Sequence, residues 1–230
     1  MENMELKKNF WSNKKVLITG HTGFKGTWLS LILAELGAKV QGISSNIPTS
    51  PSMYELLSVS DVMETDIRGD ICETEFVSQK IKELNPEIVF HLAAESLVIP
   101  CYQNPIQAFK TNIIGSANIL QALLECSSVR AIVNITTDKC YKNKEWDWPY
   151  RENDELGGKD PYSASKSCSE IVSQCYWSSF FSQKNKVGLA TARAGNIIGG
   201  GDFSPFRLVP DIFRCAESST TLEIRNPEAT

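Results

Sequence analysis

At 230 residues with a net charge of −4, the chain is long enough for a large core and lacks the basic balance of a nucleic-acid surface. Seven cysteines (72, 101, 126, 140, 168, 175 and 215) include no Cys-x-x-Cys pair, and His21 and His91 are the two histidines, so a disulfide frame and a metal centre are both disfavoured. No apolar run reaches membrane-spanning length, and the first eight residues lack a signal-type apolar core, which points to a cytoplasmic protein with no membrane partner.

The elements alternate from the start. Val16, Leu17 and Ile18 form a short apolar run, as in a parallel strand buried on both faces. Gly20, Gly23 and Gly26 follow at a spacing of three. Residues 24–36 then carry Phe24, Trp28, Leu29, Ile32, Leu33 and Leu36 at helical spacing. Between a strand and a helix each glycine has a physical role. The first allows the tight turn, the second lets backbone approach a pyrophosphate, and the third lets the helix pack close to the sheet. The helix N-terminus adds unpaired N–H groups and a partial positive charge. Three glycines alone also suit an ordinary turn; with these neighbours, dinucleotide binding is the stronger reading.

Gly37 suits a helix stop, and residues 38–43 read as a second strand. A loop with Pro48 and Pro51 occupies 44–52, and a short third strand lies around Ile67 within 63–71. Residues 73–84 are helical by pattern, stopped by Asn85-Pro86, and 87–94 form a fourth strand. A long amphipathic helix over 106–126 precedes a fifth strand at 130–136. Residues 141–159 are a polar and aromatic insertion, 161–182 a helix, and 187–194 a sixth strand. Strands alternating with helices predict an α/β doubly wound parallel sheet, a Rossmann domain over 1–200. Residues 201–230 read as the beginning of a smaller sugar-nucleotide domain, with a helix at 209–217 and a strand at 221–225. The sequence stops at 226–230 with no closing element, which reads as a chain that continues.

The second informative stretch runs from Asp160 to Lys166. Asp160 suits an N-cap and Pro161 the first helical position, so Tyr162 and Lys166 project from one face at i and i+4. A lysine ammonium beside a phenol stabilises the phenolate and makes tyrosine a usable base. The fifth strand ends in Thr136-Thr137-Asp138-Lys139, and in open parallel sheets the ligand crevice lies beyond such strand ends. Taken singly, these are a chance helix pair and a strand-end turn with a solvated ion pair. Trp146, Trp148 and Tyr150 suit a substrate mouth or half-buried packing equally, and His91 reads as a residue packed beneath the cofactor. Between Lys39 and Glu55 there is no Asp, Glu or Arg to mark NAD or NADP. Ser44, Ser45 and Asn46 are the available ribose partners.

Gly20-x-x-Gly23-x-x-Gly26, His91-Leu-Ala-Ala-Glu95, Thr137, Tyr162-x-x-x-Lys166 and Arg193-Ala-Gly-Asn196 together resemble the extended short-chain dehydrogenase/reductases that act on nucleotide sugars. Residues 19–30, 137–141, 150–153 and 193–202 are similar to the branch of that family that dehydrates CDP-glucose, and Lys139 after Asp138 marks that branch. The resemblance spans 11–227 and implies NAD as cofactor, with Gly20, Gly23, Phe24 and Gly26 at its pyrophosphate. It implies Asp70 and Ile71 at the adenine, with Leu92, Ala93 and Ala94 lining the cofactor. Tyr162 would be the base and Lys166 its partner, both also beside the cofactor. Thr137 would bond a sugar hydroxyl, Asp138 would be the acid for water loss, and Lys139 would act at the C5 proton. Asn196 and Arg207 would bind the substrate, Asn196 at its phosphate. The implied reaction oxidises C4, eliminates water across C5 and C6, and returns the hydride to C6, as in deoxysugar biosynthesis. It also implies a homodimer or higher oligomer built on the long helix with Asn112 and Gly115, although a monomer core face explains that pattern too.

Overall fold

A computed structural model describes residues 8–184, 187–225 and 227. β1 (Lys15–Thr19) lies at the centre of the sheet because Val16, Leu17 and Ile18 have no polar side to offer solvent; all three are fully buried. β2 (Lys39–Ser44) and β4 (Ile88–His91) flank it in parallel, with Leu17 opposite both Gln41 and Val89. β3 (Thr65–Arg68), β5 (Ala131–Ile135) and β6 (Gly188–Ala192) complete the order β3-β2-β1-β4-β5-β6, all pairs parallel. The direction of winding reverses between β1 and β4, so the chain parts there and leaves a crevice beyond the strand ends. The expected doubly wound α/β sheet is present.

Helices cover both faces. α2 (Phe24–Glu35) contributes Leu33 to one apolar core with Val16, Ile18 and Val40. α4 (Thr74–Leu84) and α7 (Ser116–Leu124) build the other core with Leu17, Val89 and Ile132. α8 (Pro161–Ser179) lies beside α7 on that second face. Short helices α1 (Lys8–Trp11), α3 (Met53–Leu56) and α5 (Val98–Gln103) fill connections that carried no periodic signal. Among the described residues no helix is long and apolar enough to cross a membrane, and all seven cysteines are free thiols.

Four expectations are corrected. The buried face of α2 is Gly26, Thr27, Ser30 and Leu33, while Trp28 and Ile32 remain 43% and 41% exposed. Small side chains let the helix approach the sheet closely, so the large apolar residues are displaced from that contact. β4 stops at His91 rather than at residue 94. The Ala93 N–H donates to the Thr19 hydroxyl at 3.2 Å instead of to a strand carbonyl, which turns the chain out of the sheet. The long helix at 106–126 is interrupted: α6 (Pro105–Phe109) passes into a π-helical turn at Lys110–Gly115 before α7. Residues 221–225 form no strand, because β-prone residues need a neighbouring strand to pair with and none lies beside them among the described residues. Residues 1–7, on which the reading of the N-terminus rested, lie outside the described residues, as do 226 and 228–230 at the end.

Candidate active site

The glycine turn follows β1 directly. Gly20 has φ +75°, and a Cβ there would lie 2.7 Å from the Ala93 nitrogen. A Cβ on Gly26 would lie 2.1 Å from the Gly20 carbonyl oxygen and 2.6 Å from the His21 Cα. The fold itself therefore requires these two glycines. Gly23 differs, since its Cβ would meet nothing closer than the Gly20 oxygen at 3.4 Å. Open space beside Gly23 is what a close ligand needs. Gly23 is also the N-cap of α2 with no capping side chain, so the first N–H groups of the helix lack a protein partner there. These features fit a dinucleotide pyrophosphate.

Beneath the turn His21 is fully buried. Its Nε2 lies 2.7 Å from Asp66 Oδ1 and its Nδ1 lies 3.0 Å from Ser44 Oγ. Burial pushes this imidazole below its usual range despite the neighbouring carboxylate. Ser44 is committed to this network rather than to a ribose, whereas Ser45 and Asn46 are exposed at the end of β2.

Asp70 turns its carboxylate onto the Cys72 N–H at 2.9 Å. The Ile71 side chain packs in the core against Gly115, and its carbonyl accepts from Asn118 Nδ2 at 3.0 Å. The faces that Asp70 and Ile71 can present to a ligand are thus mainly backbone. Leu92, Ala93 and Ala94 are half-buried in the loop after β4, at the mouth of the crevice. His91 below them bridges Thr19 Oγ1 (2.7 Å) and Ser116 Oγ (2.9 Å), and burial, then the charge of Lys166, lowers its pKa to about 3. It is a neutral packing residue at neutral pH.

The π-helical turn explains how this loop is held. Asn112 points inward, accepts from the Glu95 N–H at 2.8 Å and donates to the Glu95 carbonyl at 3.0 Å. It also donates to Ser165 Oγ at 2.8 Å. One side chain therefore ties the loop after β4 to α8, and the extra residue in the turn is what lets it do so.

Asp160 caps α8 through the Ser163 N–H at 3.0 Å. Tyr162, Lys166 and Glu170 then lie at i, i+4 and i+8. Lys166 is buried, donates to the Ile135 carbonyl at 2.9 Å and is lowered to about 8 by burial and then by the ammonium of Lys25. The Tyr162 phenol behaves differently from the sequence expectation. Burial raises its pKa, while the Thr137 hydroxyl and the Arg207 charge pull the other way and Asp138 reinforces the rise. Desolvation outweighs the Thr137 bond and the Arg207 charge together.

Thr137 is buried at the end of β5, donates to Asp138 Oδ1 at 3.0 Å and accepts from the Lys139 N–H at 3.3 Å. Asp138 and Lys139 are exposed, at the start of a 3₁₀ turn (Asp138–Cys140). Asn196 is exposed on the loop after β6, and Arg207 pairs with Asp202 at 3.0 Å.

Sequence reasoning missed Lys25. It is half-buried between the second and third glycines, and burial followed by the charge of Arg207 lowers its pKa. Lys25, Lys166 and Arg207 thus place three cations within electrostatic reach around the α2 N-terminus, a favourable setting for a diphosphate. The signal was present in Lys25 itself, an amine inside a glycine turn.

Known proteins resemble this chain along most of its length. Over 226 residues the chain is 50% identical to CDP-glucose 4,6-dehydratase of Salmonella typhimurium, covering 96% of this chain and 63% of that one. It is 25% identical to dTDP-D-glucose 4,6-dehydratase of Homo sapiens over 225 residues, covering 93% and 61%. The chain therefore spans a little under two thirds of the length of these relatives. Among solved structures, dTDP-glucose 4,6-dehydratase from Streptomyces venezuelae, solved with NAD bound, superposes with a TM-score of 0.76 at 23% identity, covering 90% of this chain and 63% of that one. An epimerase from Methanothermobacter thermautotrophicus gives 0.78 at 23%, covering 92% and 61%. These two likenesses show the fold. The family model described as GDP-mannose 4,6 dehydratase matches residues 17–185, a span that opens in β1 and takes in the glycine turn, Thr137, Asp138, Lys139, Tyr162 and Lys166; the chain belongs to that family.

Proposed function

We propose that the chain carries the cofactor-binding and catalytic part of a cytoplasmic CDP-glucose 4,6-dehydratase that uses NAD. The observation that carries this reading is the approach of Thr137 and Asp138, just beyond β5, to Tyr162 on the first turn of α8, with Lys166 bonded to the last residue of β5. An epimerase of the same fold needs the tyrosine and lysine but has no use for a free acid and amine beyond Thr137. The 50% identity to the Salmonella enzyme supports CDP-glucose as the substrate.

Gly20, Gly23, Phe24 and Gly26 would hold the pyrophosphate of NAD, Asp70 and Ile71 its adenine, and Leu92, Ala93, Ala94, Tyr162 and Lys166 its remaining length. When bound, NAD supplies a hydride acceptor for C4 of the sugar and a donor for C6. Tyr162 would take the proton of the C4 hydroxyl, with Lys166 one helical turn away as its partner. Thr137 orients that hydroxyl. The resulting ketone acidifies the C5 proton, at which Lys139 would act. Asp138 would protonate the departing C6 hydroxyl so that water leaves, and a proton would return to C5 to balance the one removed there. Asn196 and Arg207 bind the substrate, Asn196 through its phosphate. Residues 1–200 form the cofactor domain and 201–230 belong to the sugar-nucleotide domain. Ile114 and Ile171, 51% and 54% exposed on adjacent helical stretches, support a homodimer through this face.

The test is product analysis of the chain with NAD and a panel of CDP-, UDP-, GDP- and dTDP-glucose. A 4-keto-6-deoxy product from CDP-glucose is the expected result, formed slowly if at all because this chain spans 63% of the length of the Salmonella enzyme; binding of NAD with no turnover would leave a catalytically impaired cofactor-binding fragment. A 4-epimer, or a product from another nucleotide alone, would replace this reading.

A further inference from the structure

Arg193 lies immediately after β6, and its side chain turns back beneath the strand ends, where it is 15% exposed. Nε and Nη2 donate to the two oxygens of Glu170 at 3.0 and 2.9 Å, and Nη1 donates to the Glu152 carbonyl at 2.9 Å. The guanidinium also lies 4.7 Å from the centre of the Tyr141 ring. Each of the three guanidinium nitrogens therefore donates a bond, and one face of the fork is covered. Glu170, itself buried, accepts further bonds from the hydroxyls of Thr136 and Thr191.

The backbone on either side of Arg193 is equally committed. The Ala192 carbonyl accepts from the Thr136 N–H at 2.9 Å, and the Ala194 carbonyl accepts from the Asp138 N–H at 3.1 Å. One residue thus has its neighbours bonded to the turn that carries Thr137 and Asp138, while its side chain grips α8 one helical turn beyond Lys166. On the far side, Tyr141 stacks on Tyr150 at 5.0 Å and 19°, Trp146 lies 5.5 Å from Tyr150, and Lys144 lies over Trp146 at 4.7 Å. An unbroken stack runs from the exposed insertion to the buried carboxylate.

A buried ion pair is weak evidence for stability, because desolvation cancels much of its attraction. A bidentate fork does something that an apolar filler cannot: it fixes direction. We propose that Arg193 is a positioning residue, clamped between Glu170 and Tyr141, that sets the orientation of the Thr137–Asp138–Lys139 turn and couples it to the aromatic insertion. The inference rests on the reading of that turn as the acid–base end of the site.

Arg193→Lys keeps the charge opposite Glu170 but cannot make two bonds to it, reach Glu152 and stack on Tyr141 together. Tyr141→Leu keeps the ion pair and removes the stack. In each variant, amide hydrogen exchange read by mass spectrometry should accelerate by about tenfold or more over residues 136–140 and stay unchanged over 16–18. With NAD and CDP-glucose, kcat should fall by roughly tenfold to a hundredfold, with KM and calorimetric NAD affinity within about threefold of the parent. Unchanged exchange at 136–140 in the folded Lys variant overturns the proposal, whether or not CDP-glucose is a substrate. So does faster exchange with kcat intact. If Arg193→Lys does not fold, Tyr141→Leu decides alone, and parent-like exchange there refutes the coupling. If the parent itself leaves CDP-glucose unconverted while exchange accelerates as stated, the clamp stands and the substrate reading falls.

Discussion

At the scale of single residues, the three glycines divide into two kinds. Gly26→Ala should lower stability by about 1–3 kcal/mol, since its Cβ would overlap the Gly20 backbone oxygen at 2.1 Å. Gly23→Val should unfold within about 1 kcal/mol of the parent yet lose NAD binding, because its side chain enters only the open space. Denaturant melts and calorimetry on both variants would show the split; NAD affinity surviving at Gly23→Val would remove the pyrophosphate from this turn. Tyr162→Phe should reduce turnover by about 10² to 10⁴ with the helix intact, and near-normal turnover would end its assignment as base. Lys166 gives a pH signature. Its pKa is about 8 in the folded protein against an ordinary 10.5. Below pH 8 both states hold the proton and folding bears the full cost of burying the charge. Between about pH 8 and 10.5 the unfolded chain binds more protons, so stability rises with pH through that window. Lys166→Met should therefore be more stable than the parent by about 3 kcal/mol at pH 7, less about 1 kcal/mol for the lost bond to the Ile135 carbonyl. The gap should close by pH 10.5; a constant gap from pH 7 to 10.5 would show that the lysine is not desolvated.

Elements show where the periodic signal holds and where it gives way. α4 fits its pattern because Val77, Ile81 and Leu84 form one buried stripe. The stretch from α6 to α7 is helical throughout, as its pattern predicts, but the π-helical turn inside it depends on Asn112 finding Glu95 and Ser165, partners 17 and 53 residues away. α2 departs furthest, since closeness to the sheet selects Gly26, Thr27 and Ser30 over its tryptophan and isoleucine. The exposed side of α8 carries Ile171 at 54% and Trp177 at 40%. Ile171→Arg should shift the mass seen by analytical ultracentrifugation from dimer to monomer while leaving the melting profile of the monomer close to the parent. A dimer that persists with arginine there would move the interface elsewhere.

For the molecule as a whole, order should decline from the sheet centre towards residue 225. Val16, Leu17, Ile18, Val40 and Val89 are fully buried, whereas α9 (Leu208–Ser218) buries none of its residues and leaves Phe213 65% exposed. Hydrogen exchange should therefore be slowest in β1, β2 and β4 and fast across α9, opening there at a small fraction of the global unfolding free energy. Equal protection in β1 and α9 would refute this gradient. The same gradient bears on the proposed site, because Arg207, whose charge acts on both Lys25 and Tyr162, sits at the poorly buried end.

The sequence by itself determined the alternation of strands and helices, the glycine turn between β1 and α2, and the i, i+4 placement of Tyr162 and Lys166. Each is a local matter, set by a two-residue or 3.6-residue period and by backbone sterics within a few positions. It also carried the family resemblance, through motifs that are contiguous in the chain. Only the tertiary structure decided the strand order, which depends on where each crossover returns. It alone showed that His21 is pinned under the turn, that Ser44 is bonded to that histidine, that burial raises Tyr162, and that Lys25 feels the charge of Arg207 and acts on Lys166. These depend on side chains far apart in sequence sharing one low-dielectric volume, and neither periodicity nor spacing reports such an encounter.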